Sequence, residues 1–381
     1  MTKLTGHELV VAFEKKYPLW LAEEGDPVGL HVGDLNRPVK KILVTLDVRP
    51  EVVKEAIENK VDFILAHHPP IYKPIARLDL SEPQNKMYAD LIKHDITVYA
   101  AHTNVDNATN GMNDWLSEAL ELKDLEIMSV SKTIPLKRLN VYVPKEAVEK
   151  VRRAITEAGA GNISNDYQDC SYSVSGVGRF TPIADANPAI GEVGKPEEVA
   201  EERIEVVLQA SKVASVLSAM LQAHPYEEPV YEIYSIDQTQ KESFGLGRVG
   251  ELPKEMTISE CVEYIKKAFD VTGVRIVLPP TTSLNDLVKR VAICGGDAGK
   301  YYKEAIKKQA DIYITGDVYY HTAHDMQADG LTVIDPGHII EKICIPKLAD
   351  MLYVWAEKEE WALEIIKSQV ATNPFIFDHE L

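Results

Sequence analysis

Two adjacent histidines at the end of a short apolar segment are the residues of this chain best suited to chemistry. The segment Phe63–Ala66 precedes His67 and His68, and Pro69 and Pro70 follow them. The apolar residues predict a buried strand, and the prolines predict that it ends near His68, because proline cannot donate to a strand ladder. Both imidazoles are therefore expected at the C-terminal edge of a sheet, where open α/β folds bind their ligands.

Two further apolar segments lead into residues of the same types. The one that starts at Thr97 is followed by His102 and Asp106, and a later one is followed by His338 and Glu341. The spacing of three between His338 and Glu341 places both side chains on one face of a starting helix. Ligand-type residues thus recur after three separate predicted strands.

These strand ends predict a metal site whose ligands are His67, His68, Asp106, His338 and Glu341. Three imidazoles and two carboxylates exceed the three protein ligands usual for a single catalytic zinc, and they suit two ions about 3.5–4 Å apart. Ligation by nitrogen and oxygen fits zinc, iron, manganese or nickel. The competing interpretation is that these are ordinary hydrogen-bonded or surface histidines. Neighbours on a regular strand point to opposite faces, so at least one of the adjacent histidines must lie beyond the strand.

Three further residues are candidates for moving protons beside such a site, namely His102, Asp317 and His321. Asp317 and His321 follow another apolar segment, which places them over the same sheet edge as acid–base or ligand-orienting groups. A capped helix with exposed histidines explains that segment equally well.

Two glycine-rich segments allow more than one interpretation. Residues 295–300 lie between a predicted strand and a predicted helix, where backbone N–H groups contact a phosphate or the backbone packs closely. Residues 245–250 match the pattern GxGxxG, but no clear apolar strand precedes them, so a dinucleotide site is disfavoured.

The elements that position the candidate residues alternate between helix and strand in the first third of the chain, which predicts a parallel sheet with right-handed crossovers. The alternation breaks after about Met128. The order then becomes strand, helix, two strands, helix and strand, as in split ferredoxin-like folds. We predict an α/β protein in which residues 1–130 and 244–381 are halves of one metal-binding domain with a central sheet. Residues 131–243 would form an inserted α+β domain.

The composition disfavours several classes of protein. The 381 residues include 41 basic and 59 acidic side chains, and the formal net charge of −18 disfavours nucleic acid as the main partner. No apolar segment approaches the roughly 18 residues of a membrane span, and the N-terminus has no apolar signal core. We therefore expect a cytoplasmic protein that does not bind membranes.

The four cysteines form no CxxC pair, so neither a zinc ribbon nor a disulfide framework is predicted.

Five segments, taken together and in order, resemble the Nif-three-like family. They are DPVGLHVG at 26–33, AHHP at 66–69, HTNVD at 102–106, TGD at 315–317 and GHIIE at 337–341. The resemblance covers essentially the whole chain. Members of the family are named GTP cyclohydrolase 1 type 2 homologues, and its long form carries an inserted domain similar to PII and CutA proteins. That assignment is implied for residues 131–243.

The resemblance also implies a cofactor and an assembly. The cofactor is a dinuclear divalent-metal centre that uses His67, His68, Asp106, His338 and Glu341, with His102 beside it. Zinc is the expected ion, and iron and manganese are the alternatives. The assembly is a homohexamer whose metal sites face an internal cavity, and its small-molecule ligand is unknown.

Two hypotheses about function follow. The first is a metal-dependent hydrolase that acts on a nucleotide-like or phosphorylated small molecule. The second is a non-enzymatic role in metal handling or regulation, with the insert as a sensing or assembly module. Whether the protein is an enzyme is left open at this stage, because membership of a family fixes a metal site far better than it fixes a substrate.

Overall fold

The chain is divided into two units, one of which is assembled from both ends of the sequence. The computed structural model describes residues 4–162 and 167–377. One unit, here called the split unit, consists of Met1–Lys132 and Phe244–Leu381. The other, here called the insert, consists of Thr133–Ser243.

Helices occur in both units and alternate with strands along most of the chain. The α-helices are α1 (Gly6–Lys16), α2 (Pro50–Glu58), α3 (Pro83–Lys93), α4 (Thr103–Asn107), α5 (Met112–Ala119), α6 (Val148–Glu157), α7 (Val213–Ala223), α8 (Ile258–Phe269), α9 (Tyr302–Lys307), α10 (Tyr320–Ala328) and α11 (Cys344–Lys358). Short 3₁₀ helices cover Leu19–Leu21, Lys145–Ala147, Ala210–Lys212, Gly299–Tyr301 and His338–Ile343. Within residues 4–162 and 167–377, none of the helices has the length and apolar character that a membrane crossing requires.

The strands include two long ones that contribute residues to both units. They are β1 (Gly29–Val32), β2 (Lys41–Thr45), β3 (Phe63–Ala66), β4 (Thr97–Ala100), β5 (Lys123–Pro144), β6 (Ser171–Phe180), β7 (Glu197–Gln209), β8 (Tyr231–Thr257), β9 (Arg275–Val277), β10 (Leu287–Ile293), β11 (Ile312–Ile314), β12 (Thr332–Asp335) and β13 (Glu364–Lys367). The long strands are β5 and β8.

The first sheet of the split unit has the order β1-β4-β3-β2-β13. Its strands are parallel except for β1, which pairs antiparallel with β4 at one edge. Every residue of β3 and β4 is buried, which explains why these strands are uninterrupted apolar segments. Leu43, Ile64 and Val98 belong to a core that also contains side chains of α2 and α3.

The second sheet of the split unit has the order β5-β8-β10-β11-β12-β9. Its centre, β10-β11-β12, is parallel, and β8 and β9 flank it antiparallel. Ala292, Tyr313 and Val333 share a core with side chains of α9 and α10. The candidate residues His338 and Glu341 therefore follow a central buried strand, as the apolar segment before them predicted.

In the insert the order of elements is strand, helix, two strands, helix and strand, with the sheet order β6-β7-β5-β8. Alternate residues of β5 and β7 form a core with α6 and α7; they are Leu139, Val141, Val143, Ile204, Val206 and Leu208. The intervening residues of β7, such as Arg203 and Glu205, remain partly exposed on the other face. The sheet is therefore apolar on its helix-covered face and polar on its open face.

The structure agrees with one expectation about a local pattern and differs from one local prediction in detail. Residues 245–250 lie inside β8, so they form no turn between a strand and a helix, and the GxGxxG pattern has no structural basis for dinucleotide binding. His338 and Glu341 lie on a 3₁₀ helix rather than on the first turn of an α-helix. Residues at i and i+3 eclipse one another in a 3₁₀ helix, so the two side chains still share one face.

Candidate metal centre

The two adjacent histidines leave β3 and remain hydrogen-bonded to the end of β2. The N–H of His67 donates to the carbonyl of Thr45 at 3.1 Å, and the N–H of His68 donates to the carbonyl of Leu46 at 2.9 Å. The strand ends at Ala66, so its regular alternation of side chains no longer governs the pair. The centroids of the two rings are 4.9 Å apart. The two imidazoles can therefore serve one site.

His67 is a fully buried imidazole, and one of its two ring nitrogens has no hydrogen-bond partner among the described residues. Its Nδ1 lies 2.8 Å from the carbonyl oxygen of Ala101. A carbonyl oxygen only accepts, so Nδ1 carries the hydrogen and Nε2 carries a lone pair. Burial lowers the pKa of His67 to about 3, and its Nε2 is a buried atom without a hydrogen-bond partner within the described ranges of the chain. The side chain is therefore a neutral imidazole that is ready to act as a ligand.

Asp106, on the short helix α4, faces that nitrogen. Its Oδ1 lies 3.5 Å from Nε2 of His67 and is also buried, with no hydrogen-bond partner in the part of the chain that the structure describes. Burial and the nearby carboxylate of Glu341 raise the pKa of Asp106 well above its usual value. Nε2 of His67 and Oδ1 of Asp106 are too far apart to hydrogen-bond to each other. A cation bound between them would interact favourably with both atoms.

One oxygen of Glu341 lies among three imidazole nitrogens. Its Oε2 is 3.0 Å from Nε2 of His68, 3.1 Å from Nε2 of His338 and 3.8 Å from Nε2 of His67. The side chain is almost completely buried. Burial opposes its negative charge, but hydrogen bonds from His338 and His68 hold the pKa of Glu341 well below its usual value. Glu341 is therefore a buried carboxylate at the centre of the site.

Two of these imidazoles have a second carboxylate on the other side of the ring. Nδ1 of His68 lies 2.8 Å from Oδ1 of Asp47, and Nδ1 of His338 lies 2.7 Å from Oδ2 of Asp317. Burial alone would lower both pKa values, but the flanking carboxylates raise the pKa of His68 to about 9 and that of His338 to about 10. The protonated, positively charged forms of His68 and His338 are thus favoured beside Glu341.

His102 lies beside the other histidines and is oriented by Asp26. Its Nδ1 is 2.8 Å from Oδ1 of Asp26, whose other oxygen accepts from the backbone N–H and the hydroxyl of Thr103. Burial opposes ionisation of Asp26, but these contacts lower its pKa. The ring centroid of His102 is 5.3 Å from that of His67 and 5.6 Å from that of His68. His102 is therefore in position to exchange a proton at the site.

The other two predicted proton carriers are placed differently. Asp317 reaches the site through His338, so it orients an imidazole. His321 is exposed on α10, where its ring contacts that of Tyr320 at 5.5 Å. Among the described residues, no compact group of possible metal ligands includes His321, so the structure does not bring it to the site.

Sequence reasoning assigned no role to Asp47 or Asp26. Asp47 comes shortly after β2, at the same sheet edge as His67 and His68, so its position was a usable signal. Asp26 precedes β1 in a loop, and no apolar strand leads into it. Its contact with His102 joins positions 76 residues apart, which only the packed structure reveals.

Glycines allow backbone segments to approach the site closely. A side-chain carbon at Gly295 would lie 2.6 Å from Oε1 of Glu341, and one at Gly316 would lie 2.8 Å from the backbone nitrogen of His338. Gly296 also faces the carboxylate of Glu341 and has a φ of +66°, a conformation that favours glycine. Close packing of the backbone therefore accounts for the first two glycines of segment 295–300.

The candidate ligands form two compact groups that share Glu341. The ligand atoms within each group lie within 4.8 Å of one another, and the groups are His67, Asp106 and Glu341, and His68, His338 and Glu341. A third group of the same compactness is His67, His68 and His102. The structure thus brings together the five residues that the sequence indicated. Their nitrogen and oxygen donors suit divalent transition metals. We call these five residues the ligand cluster.

Comparisons by family, by sequence and by structure find proteins similar to this chain. A model of the Duf34/NIF3 (NGG1p interacting factor 3) family matches residues 4–374. The chain is 46% identical to a GTP cyclohydrolase 1 type 2 homolog of Bacillus subtilis (strain 168), over 98% of this chain and 99% of that protein. It is 44% identical to the Listeria innocua protein of the same name, over 99% of this chain and 100% of that protein. The crystal structure of a Bacillus cereus protein related to NIF3 matches with a TM-score of 0.88 at 42% identity, covering 99% of this chain and 100% of that one.

Proposed function

The chain belongs to the Duf34/NIF3 family, and from this premise we propose that it is a metal-dependent hydrolase with a dinuclear centre of divalent ions. His67 and Asp106 would hold one ion, and His68 and His338 would hold the other. Glu341 belongs to both compact groups, so it would be the ligand that the two ions share.

The observation that supports a metal centre most directly is a pair of buried atoms that face each other. Nε2 of His67 and Oδ1 of Asp106 are 3.5 Å apart, and within residues 4–162 and 167–377 neither has a hydrogen-bond partner. An unpaired buried polar group costs about 1–3 kcal/mol, and more when it is charged. A shared cation gives both atoms a partner, which fits the chemistry of the donors.

Zinc is the ion that we propose, with iron or manganese as alternatives. Imidazole nitrogens and carboxylate oxygens bind all three, and the ligand cluster contains no thiolate that would narrow the choice. These donor types do not distinguish among the three ions, so identification of the ion requires elemental analysis.

The residues around the ligand cluster support hydrolysis in two ways. When bound, divalent ions supply Lewis acidity that polarises a carbonyl or phosphoryl oxygen. Asp47 and Asp317 hold the rings of His68 and His338 in a fixed orientation. His102, oriented by Asp26, would accept a proton and return it.

We propose a nucleotide-like or phosphorylated small molecule as the substrate class. Two adjacent cations suit phosphoryl oxygens, and similar proteins bear the name GTP cyclohydrolase 1 type 2 homolog. The support from the name is support from family analogy, and the reaction itself must be tested on this protein.

The assembly and the insert belong to the same proposal. We propose that six copies form a hexamer in the cytoplasm, with the ligand clusters facing an internal cavity. We also propose that residues 131–243 are a PII/CutA-like domain inserted into the metal-binding domain. The element order of the insert, strand, helix, two strands, helix and strand, supports the second statement. The molar mass in solution, measured by light scattering, tests the first.

The decisive experiment is a turnover screen of protein loaded separately with zinc, iron(II) and manganese. GTP and other nucleotides, phosphomonoesters and phosphodiesters would be offered, and product release would be followed by chromatography. We expect one substrate class to be hydrolysed by the loaded protein and not by His68→Ala. His324→Ala is the matched control, because His324 is an exposed histidine on α10.

The outcomes separate the two hypotheses about function. Turnover that disappears in His68→Ala and persists in His324→Ala supports the hydrolase. Equal turnover in wild type and His68→Ala would point to a contaminating enzyme. A folded protein that binds metal, exchanges it rapidly and hydrolyses nothing would favour the alternative, a role in metal handling or regulation.

A further inference from the structure

The insert contains a cleft that the metal chemistry does not use. Its volume is about 590 Å³, which lies within the range of small-molecule sites. Every residue that lines it falls between Tyr142 and Glu232, so the cleft belongs entirely to the insert. Its floor includes the open face of the sheet, and segments 182–190 and 226–230 also contribute to its walls.

Part of the cleft is apolar. Val174 and Phe180 on β6 line it together with Pro182 and Ile190. Val174 pairs with Arg203 on β7, so it stands on the open face, and it is 38% exposed. An apolar group bound there would remove this surface from water.

The charges of the cleft favour a positive group in the ligand. Four glutamates line it, namely Glu201, Glu227, Glu228 and Glu232, against two arginines, Arg179 and Arg203. Both arginines already donate to glutamates that do not line the cleft, Glu198 at 2.9 Å and Glu205 at 2.5 Å. The charges of the two arginines are therefore balanced by glutamates outside the cleft. The four lining carboxylates give the cleft an excess of negative charge.

Glu201 is positioned to receive such a group. One of its oxygens accepts from the hydroxyl of Tyr226 at 3.0 Å. The other lies over Gly178, where a side-chain carbon would come within 2.3 Å of it. Glycine at position 178 therefore leaves room for the carboxylate at the edge of the cleft.

Arg203 adds a requirement for an acceptor. Its Nε is buried and has no hydrogen-bond partner among the described residues, although the side chain as a whole is partly exposed. Unpaired donors of a charged group are costly, so an acceptor in the ligand would be favourable. Arg203 and Glu201 are two positions apart on β7, so they stand on the same face, about 6.5–7 Å apart along the strand.

We propose that this cleft binds a free amino acid with an apolar side chain. The ligand's carboxylate would pair with Arg203, its ammonium group with Glu201 and Glu232, and its side chain would contact Val174 and Phe180. A zwitterion of this kind satisfies the opposite charges, the unpaired donor and the apolar wall together. The proposal concerns the insert and does not depend on hydrolysis at the ligand cluster.

The test is isothermal titration calorimetry on the full-length, metal-loaded protein. The twenty amino acids would be titrated one at a time, with L-leucine compared with 3-methylbutylamine, which lacks the carboxylate, and with 4-methylpentanoate, which lacks the ammonium group. We expect saturable binding of one or more apolar amino acids. For any that binds, the analogues that lack either charged group should bind roughly tenfold to a hundredfold more weakly.

Variants locate the site. Arg203→Gln and Glu201→Gln should each weaken binding by roughly tenfold or more. Arg138→Gln is the matched control, because Arg138 also contacts Glu205, at 3.5 Å, but does not line the cleft. It should bind as the wild type does, and so should His324→Ala, because His324 is an exposed residue on α10. Circular dichroism would check that each variant is folded.

Several results would overturn the proposal. One is the absence of saturable binding for all twenty amino acids up to about 10 mM. A second is equal affinity for the amine analogue, which would make the cleft a site for organic cations. A third is unchanged binding in folded Arg203→Gln. A fourth is that the protein binds no amino acid and that Val174→Glu lowers its molar mass, which would show that a second copy of the chain covers the cleft.

Discussion

Three imidazoles of the ligand cluster share one arrangement. In each, Nδ1 contacts a fixed oxygen, and Nε2 points towards an acid of the cluster. The fixed oxygens belong to the carbonyl of Ala101 and to the carboxylates of Asp47 and Asp317. Such partners fix the orientation of a ring and make it a better metal ligand. The arrangement thus prepares three Nε2 atoms around Glu341.

The proposed centre of two ions predicts how the metal content of the protein depends on single residues. Wild-type protein should bind two divalent ions per chain, and His338→Ala or Asp106→Asn should bind one. Glu341→Gln should bind neither, because the shared ligand loses its charge. Elemental analysis of dialysed protein measures these ratios, with His324→Ala as a control that keeps the wild-type value. A folded His338→Ala that loses all of its metal would instead indicate a single site.

His102 and Asp26 predict a separation between metal binding and turnover. His102→Gln should keep its metal and lose turnover by roughly a hundredfold or more, because it removes the proton carrier. Asp26→Asn should show a smaller loss and an altered pH profile, since it disturbs only the orientation of the imidazole. Metal content and pH–rate profiles would be measured together. Loss of metal in His102→Gln would make His102 a ligand, consistent with its place in the third compact group.

The site was predictable to the extent that local sequence determines it. His67, His68 and His338 follow apolar strands, so their meeting at a sheet edge could be predicted from spacing. The partners Asp47 and Asp26 are 21 and 76 residues away from the histidines that they contact. Such contacts depend on how loops pack, and no periodicity in the sequence encodes them.

At the scale of elements, strands with a clear local sequence pattern were predicted, and strands that depend on their neighbours were not. Central strands such as β3 and β12 are buried on both faces, so they are continuous apolar segments. By contrast, β1, β9 and β13 are edge strands, and each has exposed residues. Their pairing follows from the neighbouring strand rather than from their own pattern, and therefore the sequence did not indicate them.

In the insert, His224 after α7 predicts a local dependence on pH. Its Nε2 donates to the carbonyl of Tyr142 at 3.0 Å, and its Nδ1 accepts from the backbone N–H of Tyr226 at 3.1 Å. Burial lowers the pKa of His224, although the contact with Tyr142 and the nearby Glu201 oppose that shift. The folded insert thus favours the neutral ring, because protonation of Nδ1 would abolish the bond from Tyr226.

The sign of the effect follows from proton uptake. The unfolded chain binds a proton at about pH 6.5 and the folded chain binds it only at lower pH, so stability is complete above about pH 6.5 and falls below it. Protection from hydrogen exchange in residues 213–236, corrected for intrinsic rates, should decrease from about pH 7 to about pH 5. His224→Gln should remove this dependence, and His324→Gln should not. Equal protection of the wild type at both pH values would contradict the assignment.

At the scale of the whole molecule, the ligand cluster connects the two sequence segments of the split unit. Asp106 and the two adjacent histidines come from the segment before the insert, and His338 and Glu341 come from the segment after it. The chain has a net charge of −18, and the buried acids of the cluster add repulsion that a bound cation relieves. Bound metal should therefore stabilise the folded split unit against its unfolded state.

Removal of metal should lower the melting temperature of the protein. A ligand at about 100 times its Kd adds about 2.7 kcal/mol of stability, which corresponds to roughly 5 °C for a unit of this size. Differential scanning calorimetry with and without a chelator measures the difference, and added zinc should restore it. Glu341→Gln is the control, because a protein that cannot bind the ions should not respond to the chelator. If the chelator shifted wild type and Glu341→Gln equally, the stabilising metal would lie elsewhere. An unchanged wild-type melting temperature, in protein shown to have lost its metal, would mean that the cluster binds ions without stabilising the fold.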